Sequence, residues 1–193
     1  GASLAGFVGG AAIMSGLKSG ISAVGAAAIG MNADLEKSTL QFGTLMGDSK
    51  RAEAHVRDLF EFAKKTPFET GPIIQASRLL ETFGGKALNS MGNLTLLGDA
   101  AAATGAPIED LSFWIGRMYA NLQQGKPVGE AIQNLTQLGV ISPETATKLE
   151  AVAASGKTVG EKFAVMQEGL QKFSGAMVAQ AGTWEGLKSS ISD

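Results

Sequence analysis

The chain has no cysteine, and that single absence removes disulfide frameworks, thiolate nucleophiles and cysteine-ligated metals together. Histidine is nearly absent too: His55 stands alone, three residues before Asp58 and four after Arg51. A catalytic dyad needs a nucleophile beside it and a metal needs further ligands, so His55 reads as an ordinary surface or core residue. Excess charge of one sign is also missing. Sixteen basic residues face 18 acidic ones for a net charge of -2, which leaves no field to hold a polyphosphate backbone, and no specific nucleic-acid partner is expected. The dense basic pairs, Lys50-Arg51 and Lys64-Lys65, have no interleaved aromatics, and the second closes an expected helix, where cations meet the negative end of its dipole.

What is present is apolar and helical. With 45% hydrophobic and only 18% charged residues, the chain of 193 residues has enough apolar surface to fold or associate and too little charge to remain disordered. It opens at Gly1, without methionine or a basic stretch, and ends at Asp193 just after a helical pattern, which reads as a piece of a longer chain.

Residues 1–33 form a Gly/Ala-rich apolar segment whose only charge is Lys18. The uncharged stretches on either side, 1–17 and 19–33, sit at or below the roughly 17–25 residues needed to span a bilayer. Glycines at 6, 10, 16 and 20 place small residues on one helix face, the spacing that permits close helix approach. Each interior glycine costs about 1 kcal/mol of helix relative to alanine, so this segment needs a partner helix, a protein wall or a membrane.

Residues 34–193 read as an all-α bundle of short helices, because stop and start signals bound each apolar stripe and nothing carries a strand's period of two. Leu35, Thr39, Phe42 and Leu45 line a first helix that Gly47 ends. Asp48 or Ser49 caps a second, with Ala52, Val56, Leu59, Phe60 and Ala63 inward, and Thr66-Pro67 stops it. A third is expected from Pro72 to a Gly84-Gly85 terminator, and a fourth through Leu94, Leu97 and Ala101 to Gly105. Pro107, with Glu109 and Asp110 in the first turn, opens a fifth, whose Ile108, Leu111, Ile115, Met118 and Leu122 share a face. Val128, Ile132, Leu135 and Leu138 mark a short helix ended by Gly139. Ser142-Pro143-Glu144 opens another, with Ala146, Leu149 and Val152, closed by Gly156. Thr158 and Glu161 form a capping box for a last helix through Phe163, Met166, Leu170, Phe173 and Met177. No repeat at a solenoid period is evident.

The chemistry-bearing residue types all have structural explanations. Glu53, Asp58, Glu61, Glu109 and Asp110 serve as solvated faces or dipole partners, where glycosidase work would need two carboxylates across a cleft. No glycine cluster follows a strand with a Gly-Lys-Ser/Thr ending. Phe113, Trp114 and Tyr119 read as core aromatics. The sequence therefore assigns no catalytic, cofactor-binding or metal-binding residue and no cofactor.

One ordered set of segments points to a family. Phe42, Leu45 and Gly47-Asp48 are followed by Leu59-Phe60-Glu61-Phe62-Ala63, Thr66-Pro67-Phe68 and Leu79-Leu80-Glu81-Thr82-Phe83-Gly84. Then come Leu97-Gly98-Asp99-Ala100-Ala101-Ala102, Leu135-Thr136-Gln137-Leu138-Gly139-Val140-Ile141, Thr183-Trp184-Glu185-Gly186 and Ser189-Ser190-Ile191-Ser192-Asp193. Their order and spacing over residues 33–193 resemble the tape measure domain of bacteriophage and prophage tail tape measure proteins. Ser142, between Ile141 and Pro143, departs from the family's pattern. The resemblance implies a structural, non-enzymatic virion protein that sets tail tube length in assembly and leaves ahead of the DNA at infection. It would be made in the host cytoplasm and lodged in the tail, at the tube lumen or tip. Its implied partners are tail tube and tail tip proteins, other copies of itself, tail assembly chaperones and, at infection, the host membrane. Two other readings compete: a membrane-active module that inserts residues 1–33, and a cell-wall hydrolase domain. Thr66-Pro67-Phe68 is expected to be architectural, with proline ending a helix and Phe68 burying its ring.

Overall fold

The computed structural model describes the backbone of residues 28–191 and the side chains of residues 33–183. Most of the Gly/Ala-rich segment, and the side chains of the closing Thr183–Asp193 match from Trp184 onward, lie outside the described residues. Among the described residues there is helix, turn and loop but no strand, as expected of an all-α chain. Contacts divide the chain into two compact units, Gly1–Arg57 and Asp58–Asp193.

The first unit holds α1 (Ala28–Met46) and the opening of α2 (Ser49–Lys64). Helix α1 runs without a break across the compositional boundary at residue 33. It buries Ser38, Thr39 and Phe42, whose ring meets His55 edge-on at 5.4 Å. Leu45, expected on that face, is 42% exposed: it stands in the last turn before Gly47, which takes φ 67 and turns the chain away. Asp48 is the cap expected of it, its Oδ1 accepting from the Arg51 amide at 3.0 Å. Ala52 and Val56 are wholly buried on α2.

In the second unit α2 continues its stripe with Leu59, Phe60 and Ala63 buried, and its outer face carries Glu61 and Lys64 as an ion pair at 2.6 Å. Beyond Thr66-Pro67, α3 spans Thr70–Leu88. Two expectations fail here. The helix begins two residues before Pro72, which sits in the first turn, where a missing N–H has no intrahelical partner to lose. It also passes Gly84-Gly85, which kinks it instead of ending it: Gly85 adopts φ 55, ψ -146, and one more turn follows. Fully buried Leu88 anchors that turn, and the Asn89 amide closes it on the Gly85 carbonyl at 2.9 Å. Phe68 is half-buried, with its ring edge near Gly98, and does not join the closed core.

Four helices then follow, and most of their expected signals are kept. In α4 (Met91–Thr104), Ser90 accepts from the Asn93 amide and Gly105 closes the far end at φ 73. Next comes α5 (Ile108–Gln124), with Pro107 as its cap and Gly125 after it. Ile108, Leu111, Ile115, Met118 and Leu122 are all buried, each contributing roughly 1.5–3 kcal/mol before chain entropy is subtracted. Helix α6 (Gly129–Gln137) buries Ala131, Ile132 and Leu135, and α7 (Pro143–Ala153) is capped by Ser142, whose Oγ accepts from the Thr145 amide at 3.1 Å. Gly156 does not close α7. The helix stops at Ala153, because the Ser155 hydroxyl donates to the Val152 carbonyl and Lys162 Nζ to that of Ala153, so freed carbonyls are satisfied without a glycine.

The largest departure comes last. Helix α8 (Val159–Leu170) opens on the expected Thr158–Glu161 capping box but ends at Leu170. A 3-10 turn, Gln171–Phe173, then leads through Ser174 and Gly175, at φ 86, into α9 (Ala176–Ile191). The stripe from Phe163 to Met177 is therefore divided between two helices.

Helices α3 and α5 make the most extensive pairing of this unit, and α5 also meets α4, α6 and α8. Glycines set how closely α3 and α5 lie. A Cβ on Gly84 would stand 2.8 Å from the Tyr119 ring, and one on Gly116 would run into Phe83. Each helix thus presents a glycine to the other's aromatic.

Candidate functional site

Four places gather polar side chains, and one enclosed network lies where α3, α4 and α8 converge. The Ser77 hydroxyl donates to Asn89 Oδ1 at 2.9 Å, and Asn89 Nδ2 donates to Glu81 Oε2 at 2.9 Å. Asn93 Nδ2 donates to the Leu88 carbonyl at 2.8 Å, and Gln167 Nε2 reaches from α8 to Asn93 Oδ1 at 2.8 Å. Ser77, Glu81, Asn89 and Asn93 are all buried. In such surroundings a satisfied network fixes geometry, since each partner lost leaves a desolvated polar atom. Its bonds pin the α3–α4 junction, where the kink at Gly85 frees backbone groups, and tie α8 onto it.

On α4, Asp99 is buried at 4% exposure and reaches the other way. Its Oδ2 accepts from the Gly175 amide and its Oδ1 from the Met177 amide, both at 3.0 Å. The carboxylate thereby caps α9 from a different helix, and Met177 packs on Gly98 next to it.

The open clefts are on the surface. One, of about 740 Å³, is lined by Phe83, Arg117, Asn121, Lys126, Pro127 and Glu130 among others. Arg117 pairs there with Glu130 at 2.8 Å, and Asn121 Nδ2 is committed to the Pro127 carbonyl at 2.9 Å. A smaller one, of about 230 Å³, lies between α7 and α8, with Glu144, Lys148, Glu168 and Lys172 on its rim. Hydrogen bonding to Lys148, reinforced by its charge, holds the Glu144 carboxyl below the usual range, and the same bond raises the Lys148 ammonium. Glu61 is lowered in the same way by Lys64. All three groups are solvent-exposed, where such pairs contribute little.

The residues that could carry chemistry each have a structural role. His55 packs its ring on Phe42, Glu53 pairs with Arg57 at 2.8 Å, and Glu109 and Asp110 stand in the first turn of α5. Tyr119 is buried and edge-on to Phe163 at 5.2 Å, while Phe113 and Trp114 are half-buried in a T-shaped series with Phe83. Among the described residues, no group of three or more His, Cys, Asp or Glu could hold a metal ion, and no helix is long and apolar enough to cross a membrane.

Reading the sequence by its apolar stripes misses the Asn89, Asn93 and Gln167 links and Asp99. For Asp99 a signal existed: it is the one charged residue in the whole of α4, set between Leu97 and Ala101 on the inward face. Compared with protein-family models, with curated proteins and with solved structures, the chain finds no match.

Proposed function

We propose that this chain is a structural segment of a bacteriophage or prophage tail tape measure protein, working by packing and assembly without catalysis. The observation that carries the reading is where the family-like segments fall. Thr66-Pro67 separates two helices, Leu80 is wholly buried on α3, and Leu97 to Ala101 is an unbroken buried run on α4. Leu135, Val140 and Ile141 are buried around the turn from α6 to α7. Segments that carry a likeness through core and junction positions are what an architectural domain requires, whereas an enzyme's signature concentrates on side chains that face a cleft.

A straight helical ruler extends about 1.5 Å per residue, and a bundle in which the chain turns back at Gly105, Gly125 and Gly139 cannot extend that way. This segment is then a terminal or interaction module of the tape measure protein, with the ruler elsewhere. Its partners are tail tube and tip proteins, further copies of itself and assembly chaperones, with the host membrane a further partner at infection. Peptide mass fingerprinting of purified tails from the phage or induced prophage that encodes the chain tests this. Peptides from residues 34–193 should copurify with the tails, and tails that form normally without any of them would overturn the reading.

A further inference from the structure

The apolar residues Phe163, Met166, Leu170, Phe173 and Met177 step by three and four, the pattern of one uninterrupted helix, yet the backbone breaks between Leu170 and Ala176. The break is narrow. Gln171–Phe173 already form a 3-10 turn, and only Ser174 (φ -50, ψ 129) and Gly175 (φ 86) leave the helical region of backbone space.

Two backbone donors decide the matter. In a continuous α-helix the Gly175 amide would bond the Gln171 carbonyl and the Met177 amide that of Phe173, each four residues back. In the structure those same two amides bond Asp99 instead, at 3.0 Å each. The buried carboxylate therefore takes the place of two helical carbonyls. Met177 fills the notch over Gly98, where a Cβ would collide with its thioether sulfur. Past Met177, Val178 is 74% exposed and Ala179, Gln180, Gly182 and Thr183 are exposed as well, with Ala181 half-buried one turn on.

We infer that residues 159–191 form a two-state helical arm, bent while Asp99 and the Gly98 notch grip the start of α9, and one straight helix when that grip is released. Release costs the backbone nothing in hydrogen bonds, since each amide exchanges a carboxylate oxygen for a helical carbonyl. It also swings the exposed side of α9 away from the bundle and uncovers the seat on α4. The inference stands on these contacts alone and does not depend on the tape measure reading.

The chain's lack of cysteine makes a distance measurement direct. Gly160→Cys and Gln180→Cys place spin labels at two exposed positions, and a Cβ at Gly160 meets nothing within 4 Å. Twenty residues of continuous helix put their Cα atoms about 30 Å apart. Pulsed electron resonance on the otherwise native chain should give a clearly shorter separation. Asp99→Ala, which removes both acceptors, and Gly175→Ala, which penalises positive φ where there is open space for the methyl, should each move the population to about 30 Å, with the melting transition still cooperative. A distance unchanged in both folded variants overturns the inference. So does a broad distribution without the 30 Å component, which would mean that α9 detaches without joining α8. If Asp99→Ala fails to fold, Gly175→Ala decides; if both fail, the bent arm is an obligatory part of the core and the two-state reading is wrong.

Discussion

Gly116 shows how much one missing side chain decides. It lies in the middle of α5, where glycine weakens a helix, and is buried against Phe83 so that α3 can approach. Gly160, in the first turn of α8, has the same chemistry in open space. Substituting alanine at each separates packing from propensity. Gly116→Ala should lower stability by about 1–3 kcal/mol, the usual cost of forcing extra volume into a packed interface. Gly160→Ala should be neutral or raise it by up to about 1 kcal/mol, because it only narrows the unfolded ensemble. Urea unfolding of the two variants checks this, and equal shifts of the same sign would contradict the packing account.

At the level of a single element, the start of α8 is a closed electrostatic unit. Glu161 Oε2 accepts from the Thr158 amide at 2.8 Å, and the Thr158 hydroxyl accepts from the Glu161 amide at 3.3 Å. The bonds to Thr158, the backbone one first, hold the Glu161 carboxyl below its ordinary range. A group with a folded pKa below its unfolded value stabilises fully above the unfolded value and loses that contribution as pH falls through the folded one. The support that Glu161 gives should thus be complete at neutral pH and vanish in acid, and Glu161→Gln should flatten that part of the stability–pH curve. Thr158→Ala should cost about 1 kcal/mol at neutral pH, the typical value of a lost N-cap. Thermal melts across an acid-to-neutral series measure both. An acid loss of the same size in Glu161→Gln would place its origin elsewhere.

For the whole molecule, the question is whether these residues measure length or build a module. Deleting Pro107–Gln124 in frame in the parent phage removes α5 with Ile108, Leu111, Ile115, Met118 and Leu122, and with them the partner of α3. A domain held together by a few kcal/mol net does not survive that loss. Tails should fail to form or lose their length control. A ruler segment of the same length would instead shorten the tail by about 27 Å, at 1.5 Å per residue. Electron microscopy of the deletion phage distinguishes the outcomes, and viable particles with tails shorter by that amount would make this segment part of the ruler.

The all-α class, the order of the helices and most of their ends were legible in the sequence, because those features are local. The Thr158–Glu161 box, Ser142 before Pro143, and the glycines at 105, 125 and 139 act through neighbours within one or two turns. The inward face of α5 followed from its spacing for the same reason. Candidate sites were less legible, since surface pairs such as Arg117–Glu130 and the buried Asn93–Gln167 link join residues far apart in the chain. Some expectations failed on a competing local signal, as at Gly156, where Ser155 and Lys162 satisfy the freed carbonyls first, and others failed on packing. Gly84-Gly85 became a kink because buried Leu88 extends the helix, Leu45 stayed outside, and Phe68 stopped half-buried. The run from Phe163 to Met177 has helical spacing throughout, and its amides would close on carbonyls four residues back. It bends because Asp99, 76 and 78 residues away in sequence from the amides of Gly175 and Met177, is brought beside them and accepts both. Periodicity fixes which residues can share a face, but a competing acceptor supplied by another helix exists only once the chain has folded.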